Sequence, residues 1–547
     1  MKKYLIPLVT ILVLSFLIAG CSGTTATTTP ATTSQPTTSA PVATTAAPTT
    51  TKPAATTSAA PTTLTPVYGG TLRLMDTRGP STTLGWYAES GAQFLAPAYP
   101  CIETLVRVTF ENKVVPWLCD SYKVADDLKS ITFHVRPNVK FQDGSDLTGA
   151  VIKWNLDQQI AAKVSTAAPW ASVDLVDPNT VRVNLTTWRN SLLNDFCTAA
   201  GTIVSKTAFD SVGKEGMRWN PVGTGPFKFA SFQRDVSVKY VKNPNYWQAG
   251  KPYLDAVEYT FSTDPMTETA AFQNGEIDTL GDNVGQTMSS LLASQKGSYL
   301  LYNPSGIADM TPDSANDTSP WARLKVRQAL DYAIDRDAIV KVRGFGYSAT
   351  DFQFCYPGTP TYITNLQNRS YNPDMAKQLL ADAGYPGGFD TTMWVDSSSA
   401  DKDSFTSIQN YLQAVGIRAQ FVWMDNATAV NFRATGWKNG LQCGILGLDA
   451  NMNNSIARYF IKASPYWPCI IKSDAFDALY NKSLASPAYD PAAIQTMTQY
   501  LYDNAISSCL WTINHANLCQ PYVHDGGWMS LQTWPGWTPE NAWMSKH

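Results

Sequence analysis

Residues 22–66 constrain this chain before any pattern is sought, because they cannot belong to a folded core. From Ser22 to Pro66 the sequence is almost wholly Thr, Ala, Pro and Ser, with no aromatic residue and Lys52 as its one charge. Such a segment buries too little apolar area to offset its conformational entropy, so it is expected to stay unfolded. Its prolines favour extended conformations, with a reach of at most ~140 Å at about 3.1 Å per residue. The composition also suits an O-glycosylated stalk. Folding therefore starts near residue 67.

What precedes the spacer explains it. Lys2 and Lys3 are followed by an apolar run from Tyr4 to Ala19, too short to span a bilayer but right for a signal-peptide core. The run closes on Ile18-Ala19-Gly20-Cys21, which resembles the lipobox of bacterial lipoproteins. That resemblance implies cleavage before Cys21 and lipidation of its sulfur and amino terminus. Each buried methylene then adds about 0.8 kcal/mol of membrane affinity. The expected organisation is a signal peptide at 1–20 and a lipid-anchored linker at 21–66, holding the rest on the extracytoplasmic face of the cell membrane, in the envelope. The membrane is then a partner through the lipid anchor only.

About 480 residues remain, more than one hydrophobic core usually serves, so two or three lobes are expected. The net charge is −3 for the whole chain and no basic tract occurs, which argues against nucleic-acid binding. With 17 Trp and 25 Tyr against only 16% charged residues, some rings are available to line a ligand cleft, although packing is the default for any one of them. Besides Cys21 there are Cys101, Cys119, Cys197, Cys355, Cys443, Cys469, Cys509 and Cys519. An even set in an exported chain suits disulfides, and proximity in sequence favours Cys101–Cys119 and Cys509–Cys519.

Strands and helices alternate along the folded part. Tyr68-Gly69-Gly70-Thr71-Leu72-Arg73-Leu74 reads as a strand after a glycine turn, and Ile131, Phe133 and Val135 alternate in another. Val173–Val176 and Val181–Leu185 flank Asp177-Pro178-Asn179 as a hairpin, and Val236, Val238 and Tyr240 alternate in a further strand. Thr148 caps a predicted helix, and two more helices follow at 326–334 and 375–383, the second ended by Gly384. Ala419, Phe421 and Trp423 mark a later strand. Interleaving of this kind implies an α/β protein.

Several blocks, in order, resemble the family 5 extracellular solute-binding proteins, the oligopeptide, dipeptide and nickel binders of ATP-driven importers. They include Ile102-Glu103-Thr104-Leu105-Val106, Phe141-Gln142-Asp143-Gly144, Asn220-Pro221-Val222-Gly223-Thr224-Gly225-Pro226-Phe227 and Asn243-Pro244-Asn245-Tyr246-Trp247. Phe272-Gln273-Asn274-Gly275-Glu276-Ile277-Asp278, Val326-Arg327-Gln328-Ala329-Leu330 and Ala376-Lys377-Gln378-Leu379-Leu380 follow. The resemblance implies a two-lobed type II periplasmic-binding-protein fold with mixed sheets, an extra subdomain and a hinge crossed twice. Lobe I is expected from 67–97, 206–302 and 511–547, its subdomain from 98–205, and lobe II from 303–510. Most motif residues read as structural: Gly223 and Gly225 suit a tight turn needing unusual backbone angles, and Arg327 and Asp335 suit capping or pairing on a helix.

The resemblance implies an importer receptor: a ligand cleft for a small molecule or oligopeptide, permease subunits as partners, a monomer, and no cofactor. Asp449 in Gly447-Leu448-Asp449-Ala450 matches the aspartate that holds a peptide amino terminus in this family. Leu446 and Ala450-Asn451-Met452-Asn453 depart from the aromatic and Asp-Pro residues usual around it, so the sequence does not name the ligand. Trp86, Tyr87 and Trp423 lie near segments that reach the cleft in relatives, with packing as the alternative reading of each.

Two alternatives stand beside this: a receptor of the same fold serving a sensor or chemotaxis protein, and a secreted zinc-dependent hydrolase. Hydrolase motifs and phosphate loops are absent from the sequence. Cys509, His515, Cys519 and His524 have residue types that suit zinc, but an oxidising compartment favours the Cys509–Cys519 disulfide instead.

Overall fold

Alternation in the sequence becomes alternation in burial at the first strand, β1 (Thr71–Asp76), where Leu72 and Leu74 are fully buried. The structure is a computed structural model. It describes residues 64–545 apart from 77–78, 81–82, 89–95, 110–112, 263, 284, 398–400, 450 and 526–538. The expected signal peptide, Cys21 and the spacer up to residue 63 lie outside the described residues, among which no helix is long and apolar enough to cross a membrane.

β1 belongs to a ten-stranded sheet. Its other strands are β2 (Phe227–Gln233), β3 (Ser237–Lys242), β4 (Ala256–Phe261), β5 (Thr279–Asn283), β6 (Tyr299–Pro312), β7 (Phe389–Asp396), β8 (Ile417–Met424), β9 (Gly440–Gly447) and β10 (Ser508–Cys519). Their order across the sheet is β2-β3-β4-β1-β5-β10-β6-β9-β7-β8. β1 pairs in parallel with β4 and β5, and β7 in parallel with β8 and β9. β10 runs antiparallel to both β5 and β6. One half of the sheet packs a core around Leu72, Leu74, Tyr240 and Tyr259. The other half is covered on both faces, by a core around Met393, Val395 and Leu441 and by one around Leu446, Ile456 and Trp467.

A separate antiparallel sheet joins Cys119–Val124, Ser130–Val135, Thr180–Leu185 and Trp170–Asp177 in that order. The helix Gly149–Ala161 packs Ile152 and Leu156 against it, beside Phe133, Val181 and Val183. Thr148 caps that helix, its hydroxyl accepting from the Val151 N–H at 3.3 Å. The expected hairpin also forms, with Asp177 accepting from the Asn179 N–H.

Several motif residues bind these two parts together. The buried Glu103 carboxylate accepts from Trp117 Nε1, Trp247 Nε1, the Tyr246 hydroxyl and the Thr224 hydroxyl, all within 2.7–3.0 Å. Gly223 and Gly225 matter through closeness rather than unusual angles. A Cβ on Gly223 would lie 2.1 Å from the Cys101 carbonyl oxygen, and one on Gly225 would lie 2.6 Å from that of Pro100. Asp335 caps the helix that follows it, and Arg327 donates to the carbonyls of Trp321, Ala322, Asn504 and Ala505.

The expected disulfides do not form. All eight described cysteines are free. Cys509 and Cys519 stand at opposite ends of β10, about 33 Å apart at ~3.3 Å per residue, whereas a disulfide needs its Cα atoms within about 7 Å. The same spacing keeps Cys509, His515 and Cys519 from sharing one metal ion. Cys101 instead donates to Gln142 Oε1 at 3.1 Å, and burial pushes its thiol up to about 12.

Five helices matter for the site: α1 (Gln286–Ser294), α2 (Arg336–Arg343), α3 (Lys402–Ala414), α4 (Met452–Tyr459) and α5 (Asp474–Ala485).

Candidate functional site

The strand register locates a crevice. Asn283, at the carboxyl end of β5, stands opposite His515 of β10, and Asn303 of β6 stands opposite the same residue from the other side. Gly447, at the carboxyl end of β9, stands opposite Gly306, which in turn stands opposite Ile513. His515 and Ile513 are two residues apart, about 7 Å along the strand. The parallel strands of each half therefore end at nearly the same level, arriving from opposite directions, while β6 and β10 run through. In open α/β sheets, ligands bind outside the carboxyl ends of the strands.

The crossing itself is irregular. The β6–β10 register shifts between Pro304 and Gly306, as at a β-bulge, which bends a strand and frees backbone groups from the ladder. The buried Tyr356 phenol takes up those groups: it accepts from the Gly306 N–H at 2.8 Å and lies within hydrogen-bond reach of the Gly306 and Ile513 carbonyls. Gly306 has no room for a side chain, since a Cβ would lie 2.5 Å from Ile445 Cγ2.

A cavity of about 270 Å³ opens at this level. Gly285 and Gln286, at the start of α1, form one wall; Arg343, Asp401, Ser404, Ile445, Trp511 and Ile513 are among the residues of the other. Asp401 caps α3 and receives both the Ser404 N–H and hydroxyl. Arg343 grips it in two-pronged fashion at 2.9 and 2.5 Å. Burial works to raise the Asp401 pKa, but Arg343 and Ser404 outweigh it and hold the group below its ordinary value. The cavity thus presents a compensated charge pair, an amide and an apolar floor.

Farther along, Asp449 follows the end of β9. It is buried, its backbone N–H donates to Ser455 Oγ at 2.6 Å, and its carboxylate accepts from Arg458 of α4 at 2.8 Å. Burial opposes the Arg458 charge, yet Asp449 more than compensates and raises the arginine's pKa.

The neighbouring surface is closed by a loop from the four-stranded unit. Trp188 Nε1 donates to the Ser486 carbonyl at 3.0 Å, and the Asn190 N–H to that of Leu484 at 3.1 Å. Asn190 Nδ2 donates to the Ser483 and Ala488 carbonyls, and its Oδ1 accepts from Asn453 Nδ2. The loop thereby caps the carboxyl end of α5 from outside, a place where a helix leaves carbonyls unpaired. Next to it Arg189 pairs with the buried Asp195 at 2.8 Å.

Of the residues singled out in the sequence, none lines the cavity. Asp449 lies in the charge pair just described. Trp86 and Tyr87 are 5% and 2% exposed; Trp86 packs 4.5 Å from Phe209 and 5.7 Å from Trp154, ring centre to ring centre. Trp423 lies on β8, the sheet's edge strand, half-buried beside Phe421. Sequence reasoning missed Arg343, Asp401, Arg458, Arg189 and Asn190. Only Asp401 carries a local signal, the Asp-x-x-Ser start of a helix.

Known proteins share this fold. The family profile described as "Bacterial extracellular solute-binding proteins, family 5 Middle" covers residues 113–455. The glutathione-binding protein GsiB of Salmonella typhi is 34% identical over 353 residues, 63% of this chain and 68% of that protein. The protein of the same name from Escherichia coli O1:K1 / APEC is 33% identical over 407 residues, 72% and 78% of the two chains. Among solved structures, the periplasmic binding protein DppA of Helicobacter pylori, in complex with the peptide STSA, matches at 20% identity with a TM-score of 0.72, over 88% of this chain and 99% of that one. NikA of Brucella suis, in complex with Fe(III)-EDTA, matches at 19% identity with a TM-score of 0.75, over 87% and 100%.

Proposed function

The chain belongs to the family 5 bacterial extracellular solute-binding proteins, a family of binding proteins and not of enzymes, and from that premise we propose that it captures a short peptide or peptide-like solute in the crevice and delivers it to the permease of an ATP-driven importer. One observation carries the ligand class. Ile445 lines the cavity that holds Arg343 and Asp401, and Asp449, four residues on, pairs with Arg458. Asp449 thus lies at most about 14 Å along the chain from the cavity wall at Ile445, so a solute reaching both places would span three to four extended residues. A solute with charges at both ends fits that spacing. The names of the curated relatives, glutathione-binding proteins, support the same class.

The two halves of the sheet act as lobes, with boundaries near 302 and 510 and with the 98–205 unit riding on the first. Closure turns about β6 and β10, and the ligand shifts that equilibrium only by its greater affinity for the closed form. Trp86, Tyr87 and Trp423 serve packing, and Asp449 contacts the ligand. Cys21 ties the protein to the outer face of the cell membrane, so the mobile receptor stays near its permease.

Calorimetry with glutathione and a panel of tripeptides, paired with small-angle scattering, tests this. Binding with compaction is expected, and Asp449→Asn should weaken it tenfold or more. If no peptide-like solute with free charged ends binds, the ligand class is wrong; if affinity survives the substitution, the placement of Asp449 is wrong.

A further inference from the structure

A second cavity, of about 760 Å³, lies away from the crevice and has the size of a small-molecule site. It opens where β6 ends and β9 begins. Pro312 stands opposite Leu441 there, six residues along β6 from Gly306, which puts the cavity about 20 Å from the crossing. Gly436 shapes one wall. It ends the helix Asn426–Thr435, its N–H donates to the Phe432 carbonyl, and its φ of +80° turns the chain back. The turn sets Trp437 beside Phe432, ring centres 6.2 Å apart and planes within 19° of parallel. Trp394 of β7 comes within 4.7 Å of Phe432, ring centre to ring centre. All three rings line the cavity. Trp437 is buried and braces the wall, while Phe432 and Trp394 are half-buried and keep surface for a ligand.

Another wall is polar and held in place from behind. Asp313, directly after β6, accepts from the Asn439 N–H at 2.8 Å and from Asn316 Nδ2 at 3.2 Å. Asn316 Oδ1 in turn accepts from the Thr318 N–H and hydroxyl, at 3.2 and 2.8 Å. Asp313 is only 1% exposed, so it positions this arm without reaching a ligand. Asn316 is half-buried and Thr318 exposed, and both line the cavity. After these bonds, one hydrogen of Asn316 Nδ2 and the lone pairs of Thr318 Oγ1 remain for a ligand.

One remaining donor beside one remaining acceptor decides the class of ligand. A hydroxyl accepts from Asn316 and donates to Thr318 at once, whereas a carboxylate only accepts and an ammonium only donates. Among the lining residues there is one acid, the buried Asp313, and one base, the exposed Lys438, so neither sign of charge is favoured. A wholly apolar molecule would strip water from the amide and the hydroxyl without replacing it. A pyranose offers both halves of what is needed: a rim of hydroxyls, and a face of C–H bonds that suits the electron-rich face of an aromatic ring. We infer that this cavity is a second binding site, distinct from the crevice, for a neutral sugar ring. The ring stacks on Phe432 and Trp394, and its hydroxyls bond to Asn316 and Thr318.

Saturation-transfer NMR on the full chain tests this, with glucose, galactose, N-acetylglucosamine and cellobiose as probes and choline as a cationic control. At least one sugar should bind, with transfer strongest to its ring C–H protons. Phe432→Leu, which keeps apolar bulk but loses the ring, and Asn316→Ala, on the polar wall, should each weaken that binding about tenfold, with folding checked by circular dichroism. Cys469 lines the same cavity, so the bound sugar should slow its alkylation, a readout that needs no variant. Binding of no sugar, or of choline in place of every sugar, overturns the inference. So does sugar affinity that survives either substitution in a folded variant, or Cys469 alkylation unchanged at saturating sugar.

Discussion

Replacing Asn190 with alanine isolates what the four-stranded unit contributes to the shape of the molecule. The substitution removes three side-chain hydrogen bonds, from Nδ2 to the Ser483 and Ala488 carbonyls at 2.9 and 3.2 Å and from Asn453 to Oδ1 at 3.1 Å. It leaves the backbone bond to Leu484 in place. At about 0.5–1.5 kcal/mol net for each bond, the docked arrangement should lose ~2–4 kcal/mol. The fully buried Asn453 would also lose the acceptor for its Nδ2. If ligand is held only in the docked arrangement, a loss of ~2 kcal/mol appears as a Kd about thirtyfold higher, carried mostly by faster release. Calorimetry and stopped-flow release with glutathione would measure both, while scattering reports compaction and denaturant unfolding reports stability. Affinity, release and scattering all indistinguishable from the unmodified chain would refute the argument. Equal loss of folding stability and affinity would refute it differently, by showing that the contact belongs to the fold and not to docking.

The pH response of the same contact follows from Asp195, and the cysteines supply an independent check of the fold. Burial pushes the Asp195 pKa up to about 7, against the Arg189 charge and with the Asp449 charge adding. Solvated, the group titrates near ~4. Across that interval the docked form holds a proton the undocked form has lost, so docking should weaken as pH rises from about 4 through 7. Compaction measured over this range should show that slope, and Asp195→Asn should flatten it; an unchanged slope in the variant would remove Asp195 as the titrating group. Thiol titration without reductant should find the eight cysteines from Cys101 to Cys519 free after unfolding and slow to react before it, since burial pushes Cys101 and Cys519 up to about 12. Two missing thiols would restore a disulfide.

What could be read from the sequence was what local forces decide. The hairpin around Asp177-Pro178-Asn179, the Thr148 cap and the helix ended by Gly384, whose φ is +94°, depend on neighbours within a few positions, and all three appear as expected. Family motifs revealed the fold through Glu103 and Gly223, whose contacts are structural. The site is different in kind. Arg343 meets Asp401 across 58 positions, and Asn190 meets Asn453 across 263; no periodicity records such meetings. The disulfide expectation failed for the complementary reason, because nearness in sequence becomes distance in an extended strand.

The place where β6 and β10 pass between the halves is two strands wide, and a phenol fills its irregularity. In mechanical terms it is a bearing and not a spring. The backbone groups that a bent strand would leave unpaired are already seated on Tyr356, so little force is stored there to drive the halves either way. The angle between them is left to be set at the periphery, by the grip of Asn190 on α5 and by whatever occupies the cavity.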